Sequence, residues 1–246
     1  MTSYNKNDPT TIQEMFNSIA ENYDKTNAIL SFQMHKRWNQ TLIEKTLIAS
    51  HPDSILDLCC GTGAIAFEYL KQISVQSHDP APSKIYMLDF SVEMLAFARK
   101  KAEAENLNRY NITYLQADAQ SIPLPDNTIE CATIAYGIRN VKLPQQCLKD
   151  VYRVLKKGGT FGILELTQPT NPLLRLGHGL YLRTILPVMG KIFTSNENAY
   201  RYLCNSIHSF IQPEALKDLM RAAGYVEIRS IPLMGGIATI LIGKKL

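Results

Sequence analysis

Residues 55–63 read Ile55-Leu56-Asp57-Leu58-Cys59-Cys60-Gly61-Thr62-Gly63. An apolar run carrying one acid passes into a tight loop with two glycines, and Ala64 to Leu70 continues with helical character. Strand, glycine loop and helix in that order form a cradle for a nucleotide-type cofactor. Gly61 and Gly63 let the backbone approach a ligand, and the first turn of the helix offers free N–H groups to a carboxylate or phosphate. A plain strand-to-helix turn would satisfy the same residues, so the remainder of the chain decides between the two.

Toward the C-terminus a polar loop, Gln72–Ser83 with Pro80 and Pro82, leads to a second strand, Lys84–Asp89, and a helix, Ser91–Glu105. Asp89 ends its strand where nucleoside-binding folds set a carboxylate on the ribose hydroxyls; it, or Ser91, also stands where the next helix needs an N-cap. Further strands are expected at Asn111–Gln116, Thr128–Tyr136 and Thr160–Leu166, with a turn at Pro123–Asn127, a helix over Pro144–Leu155 and Lys157-Gly158-Gly159 as its stop. Strands alternating with helices at this spacing predict an α/β fold with a parallel, doubly wound sheet. From Pro169 to Phe210 no strand is evident. Leu173, Leu174, Leu176, Leu180, Leu182, Ile185 and Leu186, dotted with Arg175, Arg183 and Lys191, make an apolar helical stretch that overhangs the carboxyl ends of the strands, where ligands bind. Pro213–Ala223 is the last helix, closed by Gly224. Tyr225–Pro232 and Ile237–Ile242 read as a closing hairpin around Gly235-Gly236.

Toward the N-terminus, Thr11-Ile12-Gln13-Glu14 has the form of a capping box. Ile12, Met15, Phe16 and Ile19 recur at helical spacing, and this helix is expected to end near Asn22-Tyr23-Asp24. A second helix is expected over Phe32–Ala49, with Trp38, Leu42, Ile43 and Leu47 inward and His51-Pro52 closing it. Residues 1–53 are thus an N-terminal helical addition, packed on the core or acting as a lid. Residues 54–246 form the cofactor-binding domain, with a helical insertion at 169–210.

The chain has 246 residues, of which 46% are hydrophobic, enough for a continuous core. A net charge of +4 permits an anionic membrane surface or nucleic acid as partner without demanding either. Five cysteines, two of them adjacent, do not make a disulfide framework and suit a reducing compartment. The polar start, Met1 to Pro9, lacks an apolar signal core, and no stretch is long enough to span a membrane, so a cytoplasmic protein is expected. Histidines 35, 51, 78, 178 and 208 show no paired ligand spacing, and no metal is expected.

Several further stretches carry a family resemblance. They include Phe16-x-x-Ile19-Ala20-x-x-Tyr23-Asp24 with Asn27 and Ser31, the Leu-Asp-Leu-Cys-Cys-Gly-Thr-Gly loop, and Asp118-Ala119 ahead of a Pro-Leu-Pro-Asp turn. Tyr136-Gly137-Ile138-Arg139-Asn140-Val141, Tyr152–Gly159, Leu164-Glu165-Leu166, Ala199–Leu203 with Ser206-Ile207, and Gly235–Ala238 complete the set. Together they resemble the class I S-adenosylmethionine-dependent methyltransferases and, more narrowly, the ubiquinone/menaquinone-biosynthesis C-methyltransferases. That resemblance implies a Rossmann-like sheet with a closing antiparallel hairpin, and the doubled cysteine leans toward the menaquinone members. Departures are Cys59 in place of a first glycine, Lys157 in place of proline in Lys-Pro-Gly, Leu241 in place of a C-terminal histidine, and Ala135 where relatives have serine.

The resemblance implies C-methylation of a prenylated hydroquinone: demethylmenaquinol to menaquinol, or a 2-polyprenyl-6-methoxy-1,4-benzoquinol in ubiquinone biosynthesis. Asp57, Gly61, Thr62, Gly63, Asp89, Asp118, Ala119 and Ala135 are then the cofactor residues: the loop and Thr62 hold the methionine moiety, Asp89 the ribose, and Asp118 with Ala119 the adenine. Asp118 also suits a turn or cap. Arg139 is the leading substrate-side residue, stabilising a developing phenolate or orienting a water that takes the proton; a structural salt bridge to Asp24 or Glu165 is the alternative. Tyr23 and Asn140 either hydrogen-bond the ring oxygens or seal the lid. Tyr200 and Arg201 belong to the substrate wall or to packing, and Cys59 and Cys60 read as buried small hydrophobes rather than a redox pair. A prenyl tail implies transient contact with the inner membrane face through 173–192 or the N-terminal helix. A homodimer is left open. A nicotinamide dehydrogenase is disfavoured by the incomplete glycine motif, and a nucleic-acid methyltransferase by the lack of a base-gripping motif or a basic run. A cofactor-binding scaffold without turnover remains the non-enzymatic alternative.

Overall fold

A computed structural model describes residues 4–75, 82, 84–185 and 197–246. Expectations placed on Pro80, Ser83, Leu186 and Lys191, and on His78, fall outside the described residues. Five parallel strands, β1 (Ser54–Leu58), β2 (Lys84–Asp89), β3 (Ile112–Gln116), β4 (Ile129–Ala135) and β5 (Leu155–Leu166), join β6 (Val226–Leu233) and β7 (Ala238–Lys244) in one sheet of order β3-β2-β1-β4-β5-β7-β6. β7 runs antiparallel to both of its neighbours, which is the closing hairpin expected from the sequence. The chain leaves β1 toward β2 on one side and later returns to β4 on the other. That reversal opens a crevice at the carboxyl ends of β1 and β4, where α/β sheets bind ligands.

β1 is buried along its whole length, as a central parallel strand with helices on both faces must be. Its alternate residues feed two cores. Ile55 packs with Leu42, Leu47, Phe67 and Leu70, and Leu56 with Leu148, Val151, Phe161 and Met220. The flanking helices in the sheet region are α4 (Ala64–Val75), α5 (Val92–Ala104), α6 (Pro144–Val154) and α9 (Pro213–Ala222).

Ahead of the sheet lie α1 (Pro9–Ile19), α2 (Tyr23–Leu30) and α3 (Met34–Ile43). The capping box expected at Thr11 is displaced. Asp8 is the N-cap, accepting from Thr10 N at 3.2 Å, and Pro9, with its φ pre-set for the first helical position, starts the helix. Thr11 sits inside the first turn and donates to Asp8 O at 2.9 Å. The helical path does not stop at Tyr23–Asp24: a 3₁₀ turn over Ala20–Asn22 leads directly into α2. Phe32 and Gln33, at φ 48° and 60°, then reverse the chain, so the second expected helix starts at Met34. It ends in a π turn over Glu44–Ile48, where Thr46 Oγ1 donates to Leu42 O at 2.5 Å.

Gly162 lets these helices lie flat on the sheet. A Cβ there would run into the Thr46 side chain and meet Leu42 Cδ1 at 3.0 Å. β5 begins five residues earlier than expected. Lys157-Gly158-Gly159 is no helix stop but a bulged entry to the strand: the register shifts between Ile129↔Leu155 and Cys131↔Thr160, and Gly158 takes φ 78°. Lys245 secures it, accepting from Gly158 N at 2.8 Å and donating to Gly159 O at 2.9 Å.

After β5 come α7 (Pro172–Leu180), a π turn over Tyr181–Ile185 and α8 (Glu197–Ser209). Asn171 caps α7 by accepting from Leu173 N and Leu174 N. No residue of α7 is buried.

Candidate functional site

The glycine loop reaches the crevice through strained backbone. Cys59 takes φ 49° despite its side chain, and Gly61 and Gly63 take 54° and 85°. Two acids hold the loop. Asp89, at the end of β2, accepts from Gly61 N at 2.8 Å through Oδ2 and from Ser91 N at 2.9 Å through Oδ1. Ser91, whose Oγ accepts from Met94 N at 3.1 Å, is the N-cap of α5, which removes that role from Asp89. Asp57 is buried inside β1 and accepts from Thr133 Oγ1 at 2.9 Å and Ala66 N at 3.3 Å. Burial pushes Asp57 up to about 7 and Asp89 up to about 6, against the pull of those donors.

A first cavity lies over the loop. Gly61, Asp89, Asp118, Ala119 and Ala135, all singled out from the sequence, line it together with Tyr23 and Asn140. Phe16, Leu88, Phe90, Met94 and Tyr136 complete much of the wall. Asp57, Thr62 and Gly63 stand behind it. Thr62 Oγ1 donates to Asp24 Oδ1 at 2.6 Å, and Asp24 Oδ2 meets Lys101 Nζ at 2.8 Å, so this threonine latches α2 onto the loop. Asp118 accepts from Gln120 N at 2.9 Å and from Gln120 Nε2 at 2.8 Å.

The roof is α1. Gln13 Nε2 donates to Phe90 O at 2.6 Å, and Ser91 Oγ donates to Asn17 Oδ1 at 2.6 Å. Phe16 stands edge-on to both Tyr23 and Phe90. With Tyr23 close over Gly61, the enclosed space is about 60 Å³. A second cavity of about 100 Å³ runs between α1, α2 and α8 and touches Phe16, Tyr23, Asn140 and Tyr200.

A third cavity, of about 430 Å³, opens beside these under α2, α3 and α7. Leu30, Trp38, Leu166, Leu182, Leu203 and Ile207 make it largely apolar. Its polar lining includes Tyr23, Tyr136, Arg139, His35 and His178, and among the described residues it contains no carboxylate. Tyr23 is therefore a wall of all three cavities. The rim carries exposed apolar side chains, Phe32, Leu173, Leu174 and Met234, and Leu176 and Leu180 continue that surface along α7.

Arg139 sits in the 3₁₀ turn Ile138–Asn140 after β4 and lines the second and third cavities. Of the two salt-bridge partners considered from the sequence, Glu165 is the one found: Nη1 donates to Oε1 at 2.6 Å and to Tyr136 O at 2.6 Å. Glu165 also accepts from the Arg139 backbone N–H, so it sets both the turn and the side chain. Arg139 Nε is buried without a hydrogen-bond partner among the described residues. Burial opposes its charge, but the adjacent Glu165 carboxylate together with Tyr23 and Tyr202 outweighs this and holds Arg139 above the ordinary arginine range. Burial likewise raises Tyr23, with nearby Arg139 opposing. Asn140 donates to Tyr136 O at 3.3 Å and accepts from Tyr202 at 3.0 Å. Tyr200 is buried on the second cavity, whereas Arg201 is exposed and lines none of the three.

Burial raises both Cys59 and Cys60 well above the ordinary thiol range, which keeps the thiols protonated. Sequence reasoning passes over Trp38, Phe90 and Met94 as site residues because each reads as part of an apolar helix face or strand end. Only the third dimension brings them to the cavities.

A model of the ubiE/COQ5 methyltransferase family matches residues 2–245. The demethylmenaquinone methyltransferase of Protochlamydia amoebophila (strain UWE25) is 51% identical over 245 residues, covering 100% of this chain and 99% of that one. The demethylmenaquinone methyltransferase of Chlamydia trachomatis serovar L2 is 40% identical over 240 residues, covering 97% and 98%. Among solved structures, an S-adenosylmethionine-dependent methyltransferase from Thermotoga maritima, described as a possible histamine N-methyltransferase, superposes with a TM-score of 0.64 at 18% identity, covering 95% of this chain and 99% of that one. A methyltransferase fold from Methanococcus maripaludis gives 0.59 at 20% identity, covering 100% and 96%. At these identities the two structures bear on the fold alone.

Proposed function

The chain belongs to the ubiE/COQ5 methyltransferase family, and on that premise we propose that it methylates a ring carbon of demethylmenaquinol to give menaquinol. It is an S-adenosylmethionine-dependent methyltransferase. The observation that carries the acceptor reading is Arg139 Nε: a buried, charged donor without a partner among the described residues, on the wall of an apolar cavity large enough for an aromatic ring system.

The donor site is the crevice over the glycine loop, and its chemistry fits the group. The Asp89 carboxylate accepts from the backbone N–H groups of Gly61, Ser91 and Phe90 and keeps a lone pair for a ribose hydroxyl. Asp118 has the same spare capacity for an exocyclic amine, and Leu88, Met94 and Ala119 supply apolar faces for a base. Asp57 and Thr62 act from behind, holding the loop and α2. When bound, S-adenosylmethionine supplies an electrophilic methyl group on a sulfonium. Arg139, fixed by Glu165, points a charge-assisted hydrogen bond at the quinol oxygen on which negative charge grows. Tyr23, protonated and set between the cavities, and Asn140 line the passage from donor to acceptor and keep water out.

Residues 1–53 act as a lid over the donor site, pinned by Gln13, Asn17 and Asp24. With about 60 Å³ under Phe16 and Tyr23, loading the donor requires these side chains to move. No helix of the described residues is long and apolar enough to cross a membrane. The prenyl tail leaves past Phe32, α7 and Met234, and this rim, with Arg175 and Arg183 beside it, meets the membrane surface transiently.

The test supplies purified protein with S-adenosylmethionine and reduced demethylmenaquinol in detergent, beside a demethyl benzoquinol, and follows product by mass. Product from the naphthoquinol is expected. Product from the benzoquinol alone overturns the menaquinol assignment. Tight cofactor binding without product from either leaves only a scaffold role.

A further inference from the structure

Resting on the acceptor reading above, we propose that His35 is the base that removes the proton from the ring hydroxyl of the quinol. The third cavity has few groups able to take one. Among the described residues its lining holds no carboxylate, Arg139 is a fixed cation, and Tyr23, Tyr136 and Tyr181 are all raised by burial and stay protonated. Two imidazoles remain, His35 and His178. Among the described residues, only His35 of these two has a hydrogen bond that orients its ring.

That hydrogen bond also decides its tautomer. Ser31 Oγ lies 2.6 Å from His35 Nδ1 and 2.7 Å from Asn27 O. The serine has one proton, and the carbonyl can only accept, so the proton goes to Asn27 O. His35 Nδ1 must then be the donor to Ser31 Oγ. The neutral ring therefore carries its hydrogen on Nδ1 and its free lone pair on Nε2, the form a proton acceptor needs. The relay Nδ1–H to hydroxyl to backbone carbonyl also supports the imidazolium once it forms. Ser31 and Asn27 line the same cavity, at the junction of α2 and α3.

The charged surroundings keep His35 available as a base. Burial lowers it from the ordinary histidine value, Lys36 on its own helix lowers it further, and Asp24 from α2 opposes both. Across the cavity it shares the lining with Arg139 from the turn after β4, His178 from α7, and Tyr23, Tyr136 and Tyr181.

The step balances. The hydroxyl O–H breaks and its proton passes to Nε2, leaving the electron pair on the ring oxygen. That pair, delocalised to the ring carbon, forms the new bond to the methyl carbon while sulfur keeps the pair of the bond that breaks. The ring carbon then loses its own hydrogen to solvent, and the oxygen regains a proton from His35. One proton is released overall.

His35→Gln tests the assignment in the full chain with S-adenosylmethionine and demethylmenaquinol, run beside the wild type from about pH 5 to 9. The expected result is a kcat lower by about a hundredfold or more, KM for both substrates within about threefold, and loss of the acidic limb of the pH–rate profile. A kcat within about fivefold of wild type, or an acidic limb that survives, overturns it. Should His35→Gln fail to bind cofactor, Ser31→Ala decides: freeing the tautomer lowers kcat about five- to tenfold at unchanged KM, and an unchanged kcat overturns the assignment. A wild type inactive on quinols overturns the functional reading beneath it, whereas an active wild type with an indifferent His35→Gln overturns His35 alone.

Discussion

Arg139 donates to Glu165 across 2.6 Å with both side chains buried, at 8% and 2% exposure. Neither charge can be removed without stranding the other in a poorly solvated interior. Glu165→Ala is therefore expected to destabilise the protein by about 3–5 kcal/mol, read by urea denaturation. Glu165→Gln keeps an acceptor and the fold but loosens the guanidinium. Arg139→Ala is expected to lower kcat by about a hundredfold, with cofactor affinity unchanged by calorimetry because Arg139 does not line the donor cavity.

Asp57 and Asp89 make the fold sensitive to alkali. Both carboxyls titrate higher in the folded chain, at about 7 and about 6, than the ordinary 3.8. The native state thus binds more protons than the unfolded one, and stability is lost as pH rises from about 4 through those values. Melting temperature is expected to fall between pH 5.5 and 8.5. Asp57→Asn, which retains an acceptor for Ala66 N and lets Thr133 reorient, is expected to flatten that slope. A slope unchanged in Asp57→Asn would assign the sensitivity elsewhere.

Gly162→Ala is expected to cost about 1–3 kcal/mol, since its Cβ lands in Thr46 and lifts α3 and the π turn from β5. Gly158→Ala is a contrasting case. Nothing lies within 4 Å of its Cβ, so any loss there reports the φ of 78° alone. Differential scanning calorimetry of the two variants separates close approach from backbone conformation.

The rim of the third cavity makes a lipid prediction. Leu173→Asp with Leu176→Asp replaces side chains that are 78% and 71% exposed, so folding stability should hold. Sedimentation with anionic vesicles is expected to drop several-fold relative to wild type, with turnover of a short-tailed quinol in detergent retained. Equal sedimentation would remove α7 from the membrane contact.

The parallel sheet, its hairpin and the glycine loop are legible in the sequence because each is local: β1 is one apolar run, and Gly61 and Gly63 announce the turn. What escapes depends on depth or on long-range pairing. α2 is short and polar enough, in Tyr23-Asp24-Lys25-Thr26-Asn27, to read as the end of a helix, yet tertiary packing winds it. The early start of β5 depends on Lys245, some ninety residues away. Periodicity could offer Asp24 or Glu165 to Arg139 but could not choose between them; burial chose Glu165. For Asp89 the sequence offers a cap or a ligand role, and the structure removes only the first, because Ser91 caps α5. His35 stands among five histidines without ligand spacing, and its meaning lies in Ser31, on the far side of a helix boundary.

Tyr23 lines all three cavities at once, which under the proposed function are the donor crevice, the passage and the acceptor cavity. A partition held in common cannot answer to one occupant without informing the other. Whatever position of the ring suits the nucleoside also redraws the chamber for the naphthoquinol, and by reciprocity the quinol alters the grip on the nucleoside to the same degree. Under the proposed function, the two substrates are thereby thermodynamically coupled through a single phenol, and the departure of one product is felt at the site of its companion.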